Sequence, residues 1–395
     1  MKKVLLTLAL AVSIISCDNN NKEEIGTIAP STYKFERNGT TSVSFDGQTT
    51  RIKMGGEFIS ALNNTSETVA TLNAKFAHTE GENNFSDATL NASSKNIRSK
   101  TAASTDFFAS NTTDATAIKA QFDNWIAAQV NDVFPNWDVD ASAGVAGKIQ
   151  ESGGGSTRHI NEKGLEYNQI INKGLIGALM VDQILNNYLS TAVLDEASNV
   201  SDNDADVLLS GKNYTSMEHK WDEAFGYLYG NEPDVTAPVL VQDSFLNKYL
   251  SRVTTDTDFN TIATDIYNAF KLGRAAIVNK DYVTRDAQAA ILKEKISEII
   301  AIRAVYYLQQ AKGSLTPNRQ DAFHDLSEGI GFVYSLQFTR KSNSQDAYFT
   351  KAEVDGFMST LQAGNGFWDV TSTTLDEISN AIAAKFYFTV EQAGS

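Results

Sequence analysis

A mainly α-helical chain, built as two pseudo-repeated helical bundles with a small N-terminal β-hairpin, is what three features of this sequence predict. Long stretches carry apolar residues at helical spacing. Beyond residue 160, proline occurs only at 233, 238 and 317, so the segments between are free to be helical. An eleven-residue pattern also recurs 105 residues further along the chain. The 395 residues, 42% hydrophobic and 10% aromatic, exceed one simple core and suit two units of roughly 100–200 residues each. With 14 Tyr and 21 Phe, a disordered chain is excluded. The net charge of −15 and the lack of a basic stripe argue against any nucleic-acid partner. A single cysteine rules out an intramolecular disulfide and a cysteine-based zinc site.

That cysteine belongs to the N-terminus. Met1-Lys2-Lys3, the apolar run Val4 to Ile15 and then Ser16-Cys17-Asp18 describe a secretory signal too short to span as a stable helix. Ile14-Ile15-Ser16-Cys17 resembles a bacterial lipobox, in which the cysteine becomes the lipidated first residue. The expectation is therefore a signal peptide at 1–16 and a flexible, acidic tether at 17–32. Cys17 would carry a lipid anchor holding the protein to a membrane of the bacterial cell envelope. The outer membrane is the expected one, at its periplasmic face or at the cell surface.

The elements follow in order, with a first unit at 33–240 and a second at 241–395. Val43 to Ile52 alternates apolar and polar residues around Asp46-Gly47, a hairpin signal. Phe58, Leu62, Val69, Leu72 and Phe76 predict a helix over about 57–77. Residues 79–115, rich in Asn, Ser, Thr and Ala, predict a long loop or a partly ordered excursion. Ile118, Phe122, Trp125, Ile126 and Val130 predict an amphipathic helix over 115–133. Gly153-Gly154-Gly155-Ser156 is expected as a hinge or loop; it lacks the strand before and the Gly-Lys-Ser/Thr after that a phosphate cradle requires. Further helices are expected at about 161–191, 215–230, 243–253, 258–279, 284–312, 318–337, 350–362 and 372–391. The Asp202, Asp204 and Asp206 alternation falls in a connection and lacks the Gly and Glu of a calcium loop.

The recurring pattern is His-x3-Glu-x2-Gly-aromatic-x-Tyr. It runs from His219 through Glu223 and Gly226 to Tyr229, and again from His324 through Glu328 and Gly331 to Tyr334. A long apolar helix precedes each copy, Gly174–Leu189 and Ile291–Gln310, which suggests duplication of one helical hairpin. Residues i and i+4 project from one helix face. His219 with Glu223, and His324 with Glu328, could therefore each hold one cation, for which imidazole plus carboxylate favours iron or zinc over calcium. The competing reading is a buried His hydrogen-bonded to the Glu one turn away, serving only helix packing. Glu166, Asp182 and Gln183 are secondary candidates because they interrupt apolar helices. Arg274 and Arg303 do the same, and Arg303 is expected to pair with a carboxylate of a neighbouring helix. His159, with Glu162 three residues on, is expected at an exposed helix start; His78 receives no role.

Taken together, Tyr33–Arg37, Val43–Ile52, Gly164–Tyr167, Gly174–Gln183, Met217–Tyr227, Gly273–Tyr282, His324–Leu336 and Phe367–Phe388 resemble a family of cell-envelope lipoproteins known as domain of unknown function 4856. That family is distantly similar to the imelysins, two-bundle helical envelope proteins carrying Gly-x-His-x-x-Glu and linked to iron acquisition. This chain departs from that pattern, with an extra residue between His219 and Glu223 and no glycine two before the histidine. The resemblance implies a lipoprotein serving an outer-membrane uptake system for iron or another metal. The expected function is thus a non-enzymatic protein that binds a metal ion or a metal-containing ligand. A ligand-free interaction or scaffold lipoprotein is the alternative. A metallopeptidase is disfavoured because His-x3-Glu supplies neither a third ligand nor a general base.

Overall fold

The computed structural model describes residues 26–395 apart from 317 and 343; the signal, Cys17 and the start of the tether lie outside the described residues. The chain opens with β1 (Glu36–Arg37) and β2 (Thr40–Thr41), a minimal antiparallel hairpin. Its turn is Asn38-Gly39, with both residues at positive φ (54° and 76°), the backbone hand that matches strand twist. The hairpin expected at Val43–Ile52 does not form there. Asp46–Ala61 is instead helix α1. Asp46 places a negative charge in the first turn, where the helix dipole favours it. Gln48, Ile52, Met54 and Phe58 lie on one buried face.

The helix expected over 57–77 is two helices, because α2 (Val69–Phe76) restarts behind a reciprocal Thr68–Thr71 cap. The expected loop at 79–115 includes α3 (Ala88–Asn91) and a short turn at Arg98–Lys100. Buried Phe85, Leu90, Ile97 and Phe108 pin it to the core. His78 ties it together, its ring nitrogens 2.6 Å from Asn84 Oδ1 and 3.1 Å from the Asn91 carbonyl. Next comes α4 (Thr112–Ala128), burying Ile118, Phe122, Trp125 and Ile126 as expected. Then β3 (Gly147–Gln150) and β4 (Thr157–Ile160) form a second antiparallel hairpin that the sequence pattern did not predict. Gly153-Gly154-Gly155-Ser156 is its loop. His159 sits on β4, not at a helix start, and stacks on Trp137 with ring centroids 3.4 Å apart.

From residue 161 helices dominate. α5 (Tyr167–Leu175) continues through two wider π-helical turns, Ile176–Val181 and Ile184–Tyr188. The short α6 (Thr191–Leu194) and α7 (Asn199–Asp204) lead to α8 (Ser216–Tyr229). After it come α9 (Leu246–Thr254), α10 (Ile262–Val278), α11 (Tyr282–Ser314) and α12 (Arg319–Ser335). The chain closes with α13 (Lys351–Leu361), α14 (Ser372–Ala383) and α15 (Val390–Ala393). The expected helix at 372–391 is therefore broken in two. The aspartates of 202–206 act separately: Asp204 accepts the Tyr282 hydroxyl at 2.6 Å and Asp206 pairs with Lys280 at 2.9 Å.

The 33-residue α11, about 50 Å long, is the spine against which α10, α12 and α14 pack. The two motif helices are α8 and α12. α8 lies against α1 and α10, and α12 against α11 and α5. The motif glycines make these contacts possible. A Cβ on Gly226 would stand 2.3 Å from Phe45 Cβ, and one on Gly331 would stand 2.5 Å from Lys173 Cβ. One hydrophobic core runs through the chain from Tyr33 to Ala393. Among the described residues, no helix is long and apolar enough to cross a membrane.

Candidate functional site

Both His-x3-Glu pairs open onto clefts. α8 starts behind Thr215 in a capping box: the Thr215 hydroxyl accepts from the Glu218 amide, and the Glu218 carboxylate accepts from the Thr215 amide. Glu218 also joins a buried charge cluster. Arg274, fully buried, reaches Glu218 at 2.9 Å and Asp222 at 3.1 Å, while Arg37 reaches Glu218 at 3.0 Å. The Tyr33 hydroxyl donates to Asp222 at 2.6 Å. Burial pushes Asp222 up to about 6, against the pull of Arg274. This cluster fixes α8 against α10 and so sets where the motif pair points.

The first cleft, about 490 Å³, is lined by His219, Glu223, Tyr188, Arg51, Lys100 and Lys212, among others. His219 Nδ1 donates to the Ser44 carbonyl at 3.0 Å, which leaves Nε2 as the acceptor nitrogen. That Nε2 is 4.0 Å from Glu223 Oε2. Glu223 uses its other oxygen to accept from the Gln48 amide at 3.0 Å. Burial lowers the His219 pKa, with Glu223 only partly opposing it, so the imidazole is neutral at neutral pH. Arg51 is 7% exposed and donates to the carbonyls of Asn96 and Gly47. Burial, followed by the charge of Arg51, lowers the Lys100 pKa as well. Lys95 and Lys220 also line the cleft, as do the carboxylates Asp46 and Glu196.

The second cleft, about 670 Å³, holds His324 and Glu328 beside Lys248, Arg252 and Arg303. Here the histidine is held differently. His324 Nδ1 donates to Glu166 Oε2 at 2.8 Å, and Nε2 lies 3.7 Å from Glu328 Oε1. Burial would lower the His324 pKa, but the hydrogen bond and charge of Glu166, with Glu328 behind, raise it. The buried Lys173 ammonium sits 2.8 Å from that same Oε1. Against the effect of burial, Lys173 and then His324 hold Glu328 down at about 2.

Of the secondary candidates, only Glu166 joins a motif pair. Asp182 is fully buried and accepts from the Ala103 and Ser104 amides at 3.0 Å, from the Ser104 hydroxyl at 2.7 Å and from Asn186 at 3.0 Å. Gln183 accepts from Asn187. These two anchor the 101–104 segment and the second π turn. Arg303, expected to pair with a carboxylate, forms no ion pair among the described residues. Glu166 and Glu328 flank opposite nitrogens of His324, so the three do not converge. Among the described residues, no group of three or more His, Cys, Asp or Glu is placed to hold a metal ion. The sequence reading missed Ser44, Gln48, Arg51, Lys100 and Lys173. Only Lys173 carried a legible signal, a cation inside the apolar run Ile170–Val181.

A family model described as "Domain of unknown function (DUF4856)" matches residues 30–389. No curated protein and no solved structure matches the chain.

Proposed function

The chain belongs to the DUF4856 family, and for it we propose a non-enzymatic binding protein of the cell envelope, anchored through Cys17, that captures a metal carried by an anionic chelating ligand. The observation that carries this reading is the geometry around His219. Its Nδ1 is committed to the Ser44 carbonyl, its Nε2 faces the cleft side of the pair, and Glu223 Oε2 stands 4.0 Å from that nitrogen. Two donors on one transition metal, each about 2.1 Å from it, lie roughly 3.4 Å apart in tetrahedral geometry; a small side-chain rotation supplies the difference. Two protein ligands leave a first-row metal with open positions that the arriving ligand must fill. Arg51, Lys95, Lys100, Lys212 and Lys220 around the pair outnumber its other carboxylates, Asp46 and Glu196, and favour a ligand of negative charge. An anionic chelate of iron, or of zinc, meets both requirements, and the role that follows is accessory to metal uptake.

One observation favours the packing alternative: Ser44 and Gln48 already give each member of the pair an internal partner. Calorimetric titration of the mature chain with ferric citrate, and separately with zinc ion, decides between them. The proposed role expects saturable chelate binding, weakened at least tenfold in His219→Ala and in Glu223→Gln. Lys212→Glu should weaken the chelate more than zinc alone. A wild-type chain that binds neither probe, or a His219→Ala chain that binds both unchanged, would overturn it.

A further inference from the structure

The second cleft carries a different chemistry. Arg303, in the middle of α11, is only 6% exposed, yet its guanidinium meets no carboxylate among the described residues. Its Nε is buried with no hydrogen-bond partner there. Aromatic faces surround it instead: the guanidinium carbon is 3.9 Å from the Tyr306 ring centre, 4.5 Å from Tyr307 and 5.6 Å from Tyr249. Stacking of this kind orients a guanidinium and leaves its N–H edge available. A buried cation with unused donors is costly, and here it opens on a cleft with two more cations, Lys248 and Arg252.

Three side-chain carboxylates, Asp256, Asp325 and Glu328, also line the cleft, and none of them pairs with Arg303. Lys173 neutralises Glu328. Asp256 accepts from the Asp258 amide at 2.9 Å and from the Ser395 hydroxyl at 3.3 Å. Asp325 remains, and it makes no ion pair with Arg303. The mutual closeness of the cations shows at Lys248, whose pKa is lowered first by burial and then by Lys173, with Arg252 and Arg303 contributing after the opposing pull of Glu328.

We infer that the cleft between α9, α11 and α12 binds a small oxyanion, a carboxylate or a phosphate, with Arg303 as its buried anchor and Lys248 and Arg252 at its mouth. The anion completes the missing donors of Arg303 and relieves the repulsion among the three cations. This site is independent of the His219 cleft, and its test is arranged so that each can fail alone.

The mature chain is titrated with citrate and with inorganic phosphate at constant ionic strength, followed by calorimetry. The expected result is saturable binding of at least one anion, weakened tenfold or more in Arg303→Met and several-fold in Lys248→Ala and in Arg252→Ala. Lys248 is half-buried and Arg252 is exposed, so those variants keep the test valid if Arg303→Met fails to fold. His219→Ala should leave this binding unchanged. Citrate binding alone assigns a carboxylate ligand, and phosphate binding alone a phosphorylated one. Absence of saturable binding for both anions overturns the inference. So does equal affinity in wild type, Lys248→Ala and Arg252→Ala.

Discussion

At the scale of single residues, the partner of Nδ1 separates two histidines that share one motif. Burial lowers the pKa of both rings; the Ser44 carbonyl and Glu223 do not offset it at His219, whereas the Glu166 carboxylate more than offsets it at His324. Glu328 makes the consequence measurable. Its folded-state pKa, about 2, lies below the unfolded value of about 4.3. Its stabilising contribution is therefore complete above the unfolded value and is lost as pH falls through about 2. Glu328→Gln should flatten the loss of stability between pH 4.5 and 2. At pH 7 the same change leaves the Lys173 charge buried without its partner and should cost about 3–5 kcal/mol. Urea midpoints of wild type and variant across that pH range check both; an unchanged acid limb would refute the pairing. From the sequence, the His–Glu spacing was legible because it depends only on helix geometry. Ser44, Glu166 and Lys173 as partners were not, because each arrives from a separate element.

At the scale of elements, the motif glycines decide how closely helices approach. Gly226 meets Phe45 and Gln48, whereas Gly56, also within a helix, has nothing within 4 Å of an added Cβ. Gly226→Ala should therefore destabilise by about 1–3 kcal/mol through overpacking. Gly56→Ala should stabilise by about 0.5–1 kcal/mol through helix propensity. Thermal midpoints of the two variants check this, and shifts of the same sign would contradict it. The misplaced hairpin is instructive at this scale. Asp46-Gly47 and Asn38-Gly39 are both turn signals, but only Asn38-Gly39 adopts the left-handed backbone at both positions. Around Asp46, burial of one helix face of α1 against α8 outweighs the alternation that suggested strands. The excursion over 79–115 carries no helical signal because its anchors, such as Phe85 and Ile97, are solitary and lack any period.

At the scale of the whole molecule, an acidic chain of net charge −15 lines two clefts with lysine and arginine beside carboxylates. The motif helices bounding them draw on partners from both halves: α12 packs on α5 as well as on α11. A boundary near residue 240 therefore divides the chain but not its core, which is continuous. Cys17→Ala should yield an unlipidated protein released from the membrane fraction. Fractionation of cells expressing each form checks this, and unchanged membrane association would refute the anchor.

What the sequence by itself determined is what local physics determines: the helices expected at about 215–230, 243–253, 258–279, 284–312 and 318–337, found with ends shifted by a few residues, and the two His–Glu pairs they carry. Helical periodicity, proline placement and i, i+4 spacing are short-range, so one chain suffices to read them. Only the tertiary structure decided the charge of each histidine, the isolation of Arg303 and the engagement of Asp182 with the 101–104 segment. Those outcomes depend on desolvation and on which group, more than a hundred residues away for His219 and His324, reaches a given nitrogen or oxygen first.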